Sequence, residues 1–311
     1  MTKQLYRADN SIMRTFAAGS VDLIYMDPPF NSRAKHRIKP SRSPAEPALA
    51  FNDTWQWNEQ AQSSWEQLQN HHSAALRYTL SYLRTVLGPS PDLAYLCTLA
   101  EQISWTHRLL RATGSIYLHC ASNYSHYLRL VMEGVFGRGN FRNQIIWSYR
   151  TGGVSKRHFA RKYDVILFFS KSQDYHFRLP RYRSYQKKRY GYNPRYPEHY
   201  DEEAKSYYHL SVCRDVWEDI PAIGTSNRER TGFPTQKPEA LLERILEASS
   251  KPGQLVMDPF SGSGTTLVVA ERLDRCWQGI DRSNAAIATT QRRLQEAGIT
   301  NYDKVETGRN P

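Results

Sequence analysis

The chain has 311 residues, with 42 Lys and Arg against 30 Asp and Glu and a formal net charge of +12. That length gives one large or two ordinary domains with a core that needs no staples. Hydrophobic residues at 40% exclude a mostly disordered chain. No apolar run is long enough to span a membrane, and residues 1–9 lack the apolar stretch of a signal peptide. Cys97, Cys120, Cys213 and Cys276 are scattered without a CxxC pair, which argues against a disulfide scaffold or a zinc site and suits a reducing cytoplasmic compartment. Basic charge together with 20 Tyr and 7 Trp points toward nucleic acid, since phosphates reward positive charge and aromatic faces stack on bases.

The first clear strand is Val21–Met26, a largely apolar run stopped by Asp27-Pro28-Pro29-Phe30. Two prolines cannot donate to a ladder, so the chain turns there. Residues 31–50 are basic and proline-bearing and read as a mobile surface loop. Residues 55–87 carry Trp, Leu and Tyr at helical spacing, which predicts helices beside the core. A helix ending near Ala112, a strand at 115–119, a helix at 124–136 and two β-like runs at 143–149 and 164–170 follow. From 175 to about 230 the periodicity disappears and the text turns tyrosine-rich and basic. Regular text then resumes with a helix at 239–249 opened by Pro238, a strand at 254–257, a helix from Thr265, a strand at 276–280 and a helix at 284–296. Strands alternating with helices predict an α/β fold, a mostly parallel sheet covered on both faces.

Two motifs carry the chemistry. Asp258-Pro259-Phe260-Ser261-Gly262-Ser263-Gly264-Thr265-Thr266 ends one strand and opens a helix, and its two close glycines let a ligand approach the backbone at the sheet's carboxyl edge. It is neither the dinucleotide fingerprint, because Leu267 stands where the third Gly belongs, nor a P-loop, because no Lys follows the second Gly. One strand later Asp281 is placed to accept hydrogen bonds from ribose hydroxyls. A nucleoside-bearing ligand without a pyrophosphate is required, and S-adenosylmethionine fits; the plain alternative is a glycine turn joining strand to helix. The second motif is Asp27-Pro28-Pro29-Phe30. The lone pair of an exocyclic amine is conjugated into its base ring. The Asp27 carboxylate and the Pro28 carbonyl are able to take one amine hydrogen each and turn that lone pair toward a methyl donor. Pro28 and Pro29 stiffen the turn, and Phe30 offers a stacking face to an extruded base. The alternative is an ordinary Asp-Pro turn with a surface aromatic.

Together the two motifs resemble the amino-methylating DNA methyltransferases, in the permuted order of the β group, with the tetrapeptide more than two hundred residues ahead of the cofactor loop. Residues 7–10, His119-Cys120, residues 140–147 and residues 229–238 are similar to further stretches of that family, although Ala121-Ser122 departs from its usual Asp-Pro. The resemblance implies a Rossmann-like S-adenosylmethionine-dependent methyltransferase sheet with helices on both faces, plus a small target-recognition insertion. It also implies a discontinuous catalytic domain over 1–33, 95–174 and 231–311, a loop and helical insertion at 34–94, and a target-recognition region at 175–230. Asp258 is expected at the cofactor's amino group (or as a cap of the following turn) and Lys237 at its carboxylate. Asp281 is expected at the ribose and Asp9 at the adenine ring, with Phe260, Gly262, Gly264, Thr265 and Thr266 shaping the pocket. No metal is implied. An Asp at the head of the tetrapeptide is usual for N6-adenine methylation and Ser for N4-cytosine methylation. Carbon-5 chemistry needs a reactive thiolate, commonly after Pro, and no Cys here follows Pro.

Arg178, Arg181, Arg183, Lys187, Lys188, Arg189 and Arg195, interleaved with tyrosines, are the expected contacts to double-stranded DNA. The alternative is a solvated basic loop. The resulting expectation is a cytoplasmic, nucleoid-associated, site-specific adenine methyltransferase working by base flipping. A homodimer and a cognate restriction endonuclease are left open as partners. N4-cytosine methylation, RNA methylation and a catalytically silent DNA-binding protein on the same scaffold remain as competing readings.

Overall fold

The computed structural model describes residues 2–38, 49–150, 153–186, 197–225 and 227–307. A nine-stranded sheet forms its centre, built in chain order from β1 (Lys3–Arg7), β2 (Val21–Met26), β5 (Leu110–Ala121), β6 (Phe141–Ser148), β7 (Tyr163–Ser170), β11 (Val216–Trp217), β12 (Leu255–Asp258), β13 (Cys276–Asp281) and β14 (Asp303–Glu306). The strand order is β11-β6-β7-β5-β2-β12-β13-β1-β14, and β7 alone runs against the others.

Side chains alternate across a strand, so β2 serves both cores: Ile24 and Met26 face one, Leu23 and Tyr25 the other. The first core is covered by α1 (Glu59–Gln69), α2 (Ala74–Leu87), α3 (Pro91–Leu109) and α4 (Ser125–Phe136). The second is covered by α5 (Glu239–Ser249), α6 (Thr265–Arg272) and α7 (Asn284–Glu296). The helices start where the sequence supplies caps: the side chains of Asn58, Ser73, Ser90 and Ser283 accept from the first-turn amides of α1, α2, α3 and α7. The helices expected beside the core are part of it, since Leu68, Leu76, Leu80 and Leu83 are buried with the sheet residues.

Three expectations need correction. The stretch read as a surface loop holds a two-stranded ribbon, β3 (Lys35–Arg37) with β4 (Leu49–Asn52); residues 39–48 lie outside the described residues. The first strand is β1 rather than Val21–Met26, and with β14 it completes the sheet. Both are short and carry polar residues, with Leu5 and Tyr6 supplying the buried part of β1. The aperiodic text after residue 175 contains a three-stranded antiparallel sheet, β8 (Arg181–Gln186), β10 (Ser206–Val212) and β9 (His199–Asp201), in that spatial order. Its rows are half-exposed, so no apolar alternation marks them. After it the chain rejoins the main sheet, where Trp217 and Ile220 are buried and Trp147 Nε1 donates to the Ile220 carbonyl at 2.8 Å.

The bend into α6 depends on glycine. Gly264 has φ +77°, in the left-handed region, and a Cβ there would lie 2.8 Å from Thr290 Cγ2 on α7. Gly264→Ala would combine a left-handed penalty of about 1–2 kcal/mol with overpacking of about 1–3 kcal/mol. Chemical denaturation of that variant is expected to show a loss of at least about 2 kcal/mol on the same principles; an unchanged midpoint would contradict the packing described.

Candidate active site

Parallel strands deliver their carboxyl ends to one edge, so four acids of distant sequence meet there: Asp9 after β1, Asp27 after β2, Asp258 ending β12 and Asp281 ending β13. β12 pairs with β2 through Val256–Leu23 and Met257–Ile24, which sets the Asp258 turn directly beside the Asp27 turn. A cavity of about 1250 Å³ opens at this edge, and Asp9, Asp27, Pro28, Pro29, Phe30, Lys237, Asp258, Phe260, Gly262, Thr265, Thr266 and Asp281 all line it. Gly264 stands one layer behind, packed on Thr290.

The Asp27-Pro28-Pro29-Phe30 turn is held from both sides. Asp53, 1% exposed at the end of β4, accepts from the backbone amides of Phe30 (3.2 Å), Asn31 (2.8 Å) and Ser32 (2.8 Å). Asn31 adopts φ +56°, and its Nδ2 donates to Asp92 and to Tyr124 Oη. On the other flank Lys237 Nζ donates to both carboxylate oxygens of Asp27, at 3.0 and 2.7 Å, and lies 5.1 Å from the Phe30 ring centroid. The ammonium expected at a cofactor carboxylate is thus placed on Asp27. Behind Phe30, the ring of His119 lies 5.7 Å away. His119 is fully buried, and hydrogen bonds join it to Tyr25 Oη (2.8 Å) and to Asp164 Oδ2 (3.2 Å). Burial pushes the Asp164 carboxyl up, but the hydrogen bond and charge of His119, with Lys237 and Tyr149, outweigh it and hold the group below its ordinary value.

The double-glycine bend is fixed by its own acids. Asp258 is 3% exposed and caps the turn, accepting from Phe260 N (2.9 Å) and from Thr266 Oγ1 (2.5 Å). Burial pushes its carboxyl up to about 7, against those two hydrogen bonds and with the charges of Asp27 and Asp281 adding to the rise. Asp281 accepts from Gly262 N (3.0 Å) and Ser283 N (2.8 Å), and burial raises its carboxyl as well. Thr265 Oγ1 donates to the Lys237 carbonyl and accepts from Arg293, so α7 and the Lys237 segment are tied to the bend. Asp9 caps the short helix Asn10–Thr15 through Ser11 N. The buried Asn10 Oδ1 and Ser261 Oγ have no partner among the described residues, and both residues line the cavity.

A family model described as DNA methylase matches residues 21–292. The chain belongs to this N6/N4 DNA methylase family. Over 206 residues it is 34% identical to the DNA adenine methyltransferase YhdJ of Escherichia coli (strain K12), covering 64% of this chain and 66% of that protein. Over 213 residues it is 32% identical to the type II methyltransferase M.HpaI of Haemophilus parainfluenzae, covering 68% of this chain and 63% of the relative. The chain therefore spans just under two thirds of the length of these two curated relatives. Among solved structures, the PvuII DNA methyltransferase (cytosine-N4-specific) matches with TM-score 0.59 at 15% identity, covering 98% of this chain and 95% of that one. A DNA modification methylase of Thermus thermophilus, complexed with S-adenosyl-L-methionine, matches with TM-score 0.55 at 17% identity, covering 98% of both chains. Those likenesses show the fold.

Of the expected DNA contacts, the three described residues, Arg178, Arg181 and Arg183, do not line the cavity. Arg178 is exposed, and its amide donates to the Ala248 carbonyl at the end of α5 (2.8 Å). That helix end precedes β12, so Arg178 stands at the amino edge of the sheet, opposite the cavity. Arg181 and Arg183 are exposed on β8, and Arg183 is bound to Asp201 at 2.6 Å. Lys187, Lys188, Arg189 and Arg195 lie outside the described residues. Two groups that sequence reasoning missed hold the site: Asp53, whose partners are backbone amides and leave no sequence signal, and the Tyr25–His119–Asp164 chain, of which only His119 sat in a quoted motif.

Removing the Asp53 carboxylate strands three amides of the turn. Asp53→Ala is expected to lose about 1–3 kcal/mol of stability by chemical denaturation, and Asp53→Asn, which keeps one acceptor oxygen, less. Equal midpoints for Asp53→Ala and the native chain would remove Asp53 from this role.

Proposed function

We propose that the chain is an S-adenosylmethionine-dependent methyltransferase that methylates the N6 amine of adenine in duplex DNA, by base extrusion and direct in-line transfer. The observation that carries this reading is the opening of the Asp27 turn and the double-glycine bend, from adjacent parallel strands, into one cavity. Its volume of about 1250 Å³ exceeds the roughly 300–1000 Å³ of a single small-ligand pocket and accommodates a cofactor beside a base.

The lining fits the cofactor. Asp281 and Asp9 offer acceptors for the ribose and adenine ends, Asn10 Oδ1 and Ser261 Oγ have no partner among the described residues, and Asp258 would hold the cationic amino group. Lys237 is the cation within reach of a carboxylate. The bound cofactor supplies a sulfonium methyl as electrophile. The rest is done by this chain: the Asp27 carboxylate and the Pro28 carbonyl take the two amine hydrogens and turn the nitrogen lone pair out of the ring, and Phe30 stacks on the base. The proton released after transfer passes to Asp27 or to water. Because Asp53, Lys237 and the two prolines fix these acceptors beforehand, little reorganisation is left for the reaction itself. Cys97 is buried with its thiol pushed up to about 12, and no cysteine among the described residues lines the cavity, which favours amine over ring-carbon methylation.

The Asp at the head of the tetrapeptide and the adenine activity named for YhdJ support adenine over cytosine. The test is nucleoside mass spectrometry of unmethylated DNA incubated with the protein and S-adenosylmethionine. N6-methyldeoxyadenosine is the expected product, and Asp27→Ala is expected to lower its rate at least about 100-fold, near 2.7 kcal/mol. Methyl on cytosine N4 would transfer the reading to that base, and no methylated nucleoside would overturn it.

Binding of the cofactor should also depend on pH through Asp258. A cation prefers the ionised carboxylate, so below the value of about 7 binding must first displace a proton. Affinity by calorimetry is expected to rise between pH 6 and pH 8 and to flatten above, and Asp258→Asn is expected to remove most of the rise. A flat native profile would contradict this role of Asp258.

A further inference from the structure

The connection between β6 and β7 lies at the carboxyl edge of the sheet, the edge at which the cavity opens. β6 runs with β5, so it ends at the carboxyl edge, and Tyr149 N donates to the Lys162 carbonyl (2.9 Å) to close the base of a long loop. That base stands beside the site. Tyr149 Oη donates to Asp164 Oδ1, Trp147 packs edge-on against His119 at 5.7 Å, and His119 lies against Phe30. Between residues 149 and 163 the sequence holds Arg150, Lys156, Arg157, Arg161 and Lys162 and no acid. Its described part carries Phe159 at 99% and Val154 at 91% exposure, above every other large hydrophobic of the described residues. Local bonds shape the tip: Ser155 Oγ accepts from the amides of Arg157 and His158, and Lys162 Nζ donates to the Gly153 carbonyl.

An isolated exposed aromatic is ordinary. A fully exposed phenyl ring inside an acid-free basic loop, whose base is linked to the candidate base-stacking residue through Tyr149, Asp164 and His119, fits a polyanion with an apolar interior, which is the chemistry of a base stack between phosphate rails. Two residues, Ala160 and Arg161, lie between Phe159 and the Lys162 anchor, and the three Cα–Cα steps reach about 10 Å before the side chain is added. We propose that this loop enters the duplex beside the target nucleotide, that the Phe159 ring takes the space vacated by the extruded base, and that Arg150, Lys156, Arg157 and Arg161 face the flanking phosphates. This rests on the DNA-methyltransferase reading and adds to it the element that holds the duplex open. It also supplies cations at the catalytic edge, where Arg178 does not stand.

The experiment uses the full chain and a duplex bearing the site that the native protein methylates, as read by sequencing. Two forms are compared, one fully paired and one with an abasic nucleotide opposite the target, and 2-aminopurine at the target reports extrusion. Phe159→Ala is expected to lose the fluorescence rise and at least tenfold in methylation rate on the paired duplex, with Kd within about threefold. On the abasic duplex its rate is expected within threefold of native, and Phe159→Trp is expected to keep both signals. Native fluorescence and rate for Phe159→Ala would overturn the proposal, as would an equal loss on both duplexes. A native protein that methylates no DNA fails at the parent reading instead, before any variant is compared. Phe159→Ala that loses binding to anionic vesicles but keeps extrusion would assign the loop to a membrane surface and overturn it too.

Discussion

The Lys237–Asp27 ion pair spans 210 residues of sequence and joins the two halves of the site. Lys237 is 8% exposed, so its ammonium is taken out of water and must be matched by the carboxylate it touches. The pairing is possible because β2 and β12 are hydrogen-bonded neighbours running the same way. Each contributes a turn at the same edge, and the segment entering α5 lies across both. The cavity, its acids and the stacking ring follow from that arrangement.

Around this pair the chain holds its polar groups by backbone contacts. Asp53 gathers three amides of one turn, and Asp258 and Asp281 gather those of the other. Buried carboxylates are costly without such donors. Here the donors are the turn amides themselves, so the rigidity of the site and the neutralisation of its acids have one origin. Burial nonetheless raises the carboxyl of Asp258, so these donors do not fully offset its desolvation.

What was legible in the sequence is what depends on neighbouring residues. The proline corner after Met26, the glycine bend after Asp258 and the acid at the end of β13 are each written within a few positions, and helix bounds such as Asn284–Glu296 follow from periodicity and a serine cap. The strands β1 and β14 were not legible, because a five-residue and a four-residue strand with mixed residues carry too little pattern. The Tyr- and Arg-rich sheet around β10 escaped because neither face is fully buried. Asp53 escaped because its partners are amides, which no residue type announces, and the Lys237–Asp27 pair escaped because 210 residues separate its members. Family membership agrees with the motif reading and carries the same local information.

If the two turns serve one reaction, a crystal structure of the chain with S-adenosylmethionine and a duplex carrying its target will show them acting on one pair of atoms. The sulfonium methyl carbon is expected about 3–3.5 Å from the exocyclic nitrogen, in line with it, with that nitrogen bonded to Asp27 and the Pro28 carbonyl. A cofactor seated with its methyl group directed away from Asp27, or a target base bound elsewhere, would contradict it.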